Sequence, residues 1–67
     1  MNKDNKLQRL LAKRKMKQVE LCREVTKAGY DIAQSTVYRC IRTGEGNLNT
    51  WIAIAKVLGV NVGDIAD

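Results

Sequence analysis

At 67 residues the chain has room for one small domain, 1–67, whose core is correspondingly slight, since only about 60% of the unfolded surface is buried at this size. It contains no His, and Cys22 and Cys40 are its only thiols, so Ser–His and Cys–His hydrolases and structural zinc sites are excluded; composition argues against an enzyme and implies no metal and no cofactor. Twelve Lys and Arg against seven Asp and Glu leave a net charge of +5, which attracts polyanions, nucleic acid ahead of an anionic membrane surface.

The charge is concentrated at the front, where residues 1–17 hold seven bases and one acid. Asn5 and Gln8 have the spacing of a capping box and predict a first helix over 5–14. Leu7, Leu10, Leu11 and Arg14 fall on one stripe of it, with the lysines toward water. Arg14–Lys17 reads as the first connection, and Lys13, Arg14 and Lys15 as solvated charge that adds field rather than contacts. A second helix over 18–28 carries the stripe Leu21, Cys22, Val25, Ala28 and ends at Gly29. Tyr30–Ala33 is a connection with one apolar anchor, Ile32.

The third helix, 34–42, places Val37, Cys40 and Ile41 on one face and Gln34, Ser35, Tyr38, Arg39 and Arg42 on the other. Gly44 and Gly46 mark a loop. Asn47 or Asn49 caps a fourth helix, 48–58, with Trp51, Ile54, Ala55 and Leu58 inward and Gly59 after its end. A short fifth helix, 62–66, follows, with Asn61 and Asp64 spaced as a second capping box. No hairpin signal appears, so the fold class is all-α, five short helices and no sheet. The longest apolar run, Trp51–Ala55, is far short of the roughly 20 residues of a membrane span, and Met1–Asp4 lacks the apolar stretch of a signal peptide. Cys22 and Cys40 each lie on an apolar stripe and read as buried free thiols. The expected location is cytoplasmic, with no membrane partner.

Several of these residues, taken in order, resemble the Cro and lambda-repressor-like helix-turn-helix family. They are Gln18, Leu21-Cys22 and Val25; then Ser35-Thr36-Val37-Tyr38-Arg39 and Gly44; then Ile54–Val60 with its Leu58-Gly59-Val60 close. The similarity spans residues 7 to 65. Three departures stand out. About five extra residues, Thr26 to Asp31, separate the second and third helices, where the family has a tight turn. Lys17 and Ala33 replace Ser or Thr caps, which weakens each helix start by about 1 kcal/mol. Where the family often pairs an Arg in its first helix with a Glu late in its third, this chain has Leu11 and Ile41, a coherent apolar replacement.

The resemblance implies a compact lambda-repressor-like domain that binds a double-stranded DNA operator, with the third helix in the major groove. Gln34, Ser35, Tyr38 and Arg39 then become the base-reading residues, and Lys17, Gln18, Thr36, Arg42, Thr43 and Asn47 the phosphate contacts. Trp51 reads as core. Ile52, Val57, Val60, Val62 and Ile65 exceed what one stripe needs and mark a C-terminal edge for a homodimer. The function expected is transcriptional regulation, a small repressor of phage or mobile-element type. A protein-interaction module of the same fold, an antitoxin or anti-repressor, is the alternative; a cysteine-dependent redox sensor stands third. A protein-binding third helix would expose apolar residues, and here only Tyr38 does so.

Overall fold

Asn5 starts the first helix as its spacing predicts. Its side-chain oxygen accepts the Gln8 N–H at 2.8 Å, while Gln8 Oε1 accepts the Asn5 N–H at 3.2 Å. In this computed structural model, which describes residues 5–66, four α-helices follow: α1 (Lys6–Lys13), α2 (Gln18–Lys27), α3 (Gln34–Thr43) and α4 (Leu48–Leu58). Met1–Asp4, the stretch that lacks a signal peptide's apolar run, and Asp67 lie outside the described residues. There is no strand among those residues. Asn47 rather than Asn49 caps α4, its Oδ1 accepting both the N–H and the hydroxyl of Thr50 at 2.9 Å.

The expected fifth helix is not formed. Residues 62–66 shrink to one 3₁₀ turn, Val62–Asp64, closed by i+3 bonds from Asp64 N–H to Asn61 and from Ile65 N–H to Val62. Gly63 in the middle and so short a length leave too little to offset an α-helical nucleus. Half of the predicted box survives, the Asp64 carboxylate accepting the Asn61 N–H at 3.1 Å, but the Asn61 side chain caps nothing in return.

Helix ends follow one pattern. At the ends of α1, α2 and α4 one N–H bonds back five positions: Met16 to Leu11, Tyr30 to Val25 and Val60 to Ala55. This is the Schellman arrangement, which needs one left-handed residue between. Gly29 and Gly59 supply it after α2 and α4, whereas after α1 the residue is Lys15, at φ 55°.

The core is built from Leu7 and Leu11 of α1, Leu21, Cys22 and Val25 of α2, Val37, Cys40 and Ile41 of α3, and Trp51, Ile54, Ala55 and Leu58 of α4. Helix α2 packs on both α3 and α4, and α1 lies across α3. Ala28 and Ile65 exchange their expected sides. Ala28 is exposed, because α2 ends at Lys27 and Ala28 is its cap. Ile65, expected on an outer edge, is buried in the core at 1% exposure, because the 3₁₀ turn folds it back under α4. Gly46 is required by contact: a Cβ there would run into Cys40 Sγ beside the Trp51 ring.

The left-handed Lys15 costs about 1–2 kcal/mol relative to glycine, partly returned by glycine's freer unfolded chain. Lys15→Gly is therefore expected to raise stability by about 0.5–1 kcal/mol in a urea titration; a loss would mean that the Lys15 side chain holds something the end geometry does not reveal.

Candidate nucleic-acid interface

Burial on one side of α3 decides what its other side presents. With Val37, Cys40 and Ile41 inward, the opposite face carries Ser35, Arg39 and Arg42, all exposed, with Gln34 exposed in the first turn. Thr36 and Tyr38 are half-buried on the two flanks. The helix contains no acid. On one flank Gln18, the first residue of α2, lines a single surface depression with Ser35, Tyr38 and Arg42. Four residues expected at the interface are thus brought together from two helices. Lys17 and Gln18 also border a second depression, floored by Leu11 and Ile41. Those two are buried together, an apolar pair within the core.

The other flank is different in character. Thr36 and Asn47 line a depression with Asp31 and Asn49, so an acid stands beside two of the expected phosphate contacts. Asn47 has its carbonyl oxygen engaged in capping α4 and offers only its amide nitrogen outward. Thr43 is less available still. Its hydroxyl donates to the Arg39 carbonyl at 2.7 Å and accepts the Glu45 N–H at 3.1 Å, so a phosphate contact there would break the Arg39 bond.

The helix starts divide in the same way. α1 and α4 are capped by the Asn5 and Asn47 side chains, but neither Lys17 nor Ala33 caps the helix it precedes. The first N–H groups of α2 and α3 are left open, an arrangement that favours anions. Glu20 accepts the Lys17 N–H at 2.8 Å, half of a capping box.

Tyr38 reaches back to α2, where its polar neighbour is the Cys22 thiol, a contact that residue spacing does not reveal. Burial pushes the Tyr38 phenol up, and Cys22 adds to this while Arg23 opposes it. Burial likewise raises the Cys22 thiol against the pull of the Tyr38 hydroxyl, and the Cys40 thiol against that of Arg39. Both thiols are free and buried, the opposite of a reactive sensor cysteine.

Arg14 also departs from expectation. It is exposed, yet its Nη1 donates to the Leu58 carbonyl at 2.6 Å and so caps α4 from α1. Its place seven residues after Leu7 on the leucine stripe was the signal for this. On the C-terminal edge Ile52, Val57, Val60 and Val62 are half-buried, and Ile65 is not available. Among the described residues the exposed large hydrophobics are Val19 at 40% and Leu48 at 64%, and neither lies on α3. No described helix is long and apolar enough to cross a membrane.

A family model described as a Cro/C1-type HTH DNA-binding domain matches residues 6–67. No curated protein and no solved structure matches.

Two outcomes follow from this geometry. Lys17→Ser completes the box with Glu20, so it is expected to raise stability by about 1 kcal/mol. The same change removes a cation at the α2 start, and the slope of log affinity against log salt on duplex DNA is expected to fall by about 0.9. An unchanged slope would take Lys17 off the phosphates. The thiols bear on pH: raised in the folded state, they leave stability intact below the ordinary value of 9.0 and reduce it as the pH climbs beyond. Urea midpoints are expected to be lower at pH 10 than at pH 7, and thiol reagents to label neither cysteine at pH 7 until the chain unfolds.

Proposed function

Because the chain belongs to the Cro/C1-type HTH DNA-binding domain family, we propose that it is a sequence-specific transcriptional regulator, a small repressor of phage or mobile-element kind that lays α3 in the major groove. The observation that carries this reading is the acid-free outer face of α3 and its junction with Gln18 in one depression. Arg39 offers two parallel donors to guanine O6 and N7, and Gln34 pairs with adenine N6 and N7. Ser35 and Tyr38 complete the base-reading set. Gln18, Lys17 and the open N–H groups of α2 hold one phosphate run, with Arg42 beside them. Thr36 and the Asn47 amide serve the other side, and Thr43 contributes least because its hydroxyl is engaged.

A partner protein is disfavoured on this face, since Ser35, Arg39 and Arg42 suit phosphates and base edges better than an apolar interface core. Two copies would bind an inverted repeat, joined through Ile52, Val57, Val60 and Val62 at the C-terminal edge. Ile65 serves that edge only from beneath, as part of the core.

The test is selection from a random duplex pool at roughly physiological salt, followed by titration of variants on the enriched and a scrambled site. Enrichment of an inverted repeat with half-sites about 10 base pairs apart is expected. Arg39→Ala is expected to relax one base position at a cost of about 1–3 kcal/mol, and Gln18→Ala to weaken both sites equally. If the two variants lose affinity in the same pattern, the division into reading and holding residues fails; if no sequence is enriched, so does the regulator.

A further inference from the structure

The connection between α2 and α3, Ala28–Ala33, is unused by the function above. It is nonetheless held in place. The Tyr30 N–H closes onto the Val25 carbonyl at 3.3 Å, and the Tyr30 and Ile32 side chains both pack on the core. Between these two anchors Asp31 is exposed. It lines, with Ala33, Thr36, Asn47 and Asn49, the depression beside the first turn of α3. The two depressions shared with Gln18 are lined by no acid.

A carboxylate on a surface that meets a polyanion is repelled wherever it faces a phosphate. It becomes favourable only against a donor, because a carboxylate accepts hydrogen bonds and offers none. In the major groove the exocyclic donors are cytosine N4–H₂ and adenine N6–H₂, and cytosine N4 is the partner that acidic side chains take. Asp31 stands three residues before Gln34, at the end of α3 where base edges are met. Its neighbours Thr36 and Asn49 are neutral and supply no cation to satisfy it internally.

We propose that Asp31 is a specificity-determining residue, accepting a hydrogen bond from N4 of a cytosine that adjoins the bases met by the first turn of α3. The inference rests on the reading that α3 faces the major groove. It adds to that reading a position outside α3, on the connection that leads into it from α2. The two apolar anchors explain how a connection of this length holds a side chain steadily enough to discriminate.

Selection from the random duplex pool is run in parallel with the full chain, Asp31→Ala and Asp31→Asn, and each is titrated on the enriched duplex and on copies altered one base pair at a time. Thermal midpoints are expected to match, since Asp31 is exposed and makes no internal hydrogen bond on which the fold depends. The unaltered chain is expected to favour one C·G pair by about tenfold or more, and Asp31→Ala to bind that duplex and its altered copy equally. Asp31→Asn is expected to transfer the preference at that pair to adenine. If Asp31→Ala keeps every preference, whether or not it binds all duplexes more tightly, the inference is overturned and Asp31 is at most a repeller of phosphates. That result leaves the regulator intact. Absence of any enriched motif with the unaltered chain removes the regulator and this inference together.

Discussion

The structure depends on α3 having one buried side and no more. Val37, Cys40 and Ile41 are fully enclosed by α2, α1 and α4, which fixes the rotation of the helix about its own axis. Once that rotation is set, Ser35, Arg39 and Arg42 have nowhere to go but outward. Close contacts keep it set. Gly46 lies against Cys40 Sγ, and the Asn5 amide donates to the Ile41 carbonyl at 2.9 Å, tying the start of α1 to the last residue of that stripe. In a chain of this length the hydrophobic core has little to spare, so such contacts weigh heavily.

The distribution of caps and charges separates scaffold from surface. The scaffold helices α1 and α4 are closed by Asn5 and Asn47, and two basic side chains, Lys6 in α1 and Arg14 at its C-cap, reach the C-terminal part of the chain: Arg14 to the Leu58 carbonyl, Lys6 to the Gly63 carbonyl at 3.3 Å. The helices that form the candidate interface begin at Lys17 and Ala33 with their N–H groups open. Stability is concentrated where the chain must be rigid, and hydrogen-bonding capacity is left where a polyanion can take it up. The buried Leu11 and Ile41 agree with this economy, because an apolar pair in the core carries no desolvation penalty.

The two flanks of α3 are unequal, and this asymmetry shapes the proposed interface. The side toward α2 holds Gln18, Tyr38 and Arg42, all hydrogen-bond donors at neutral pH. The side toward α4 holds Asn47, whose oxygen is already engaged, and Asp31. Tyr38 stays protonated there because burial and the neighbouring Cys22 thiol disfavour the phenolate. A duplex approaching this surface meets an electropositive side and a mixed one.

Much of this was legible in the residues themselves. Apolar periodicity located α1 to α4, the Asn5–Gln8 spacing gave a complete capping box, and Gly29 and Gly59 marked helix ends, because each of these rests on interactions within a few residues. The exposed set on α3 followed from the same periodicity once one face was assigned to the core. The sequence could not determine events decided across the fold. Ile65 became core and the fifth helix a 3₁₀ turn, because a three-residue turn takes its direction from what it packs against. Arg14 found the end of α4, and Asp31 came to rest in one depression with Asn49, each through partners that only tertiary packing brings within reach. Local spacing fixes where helices begin and which stripe they bury; the long-range contacts alone decide which polar groups remain free to meet a ligand.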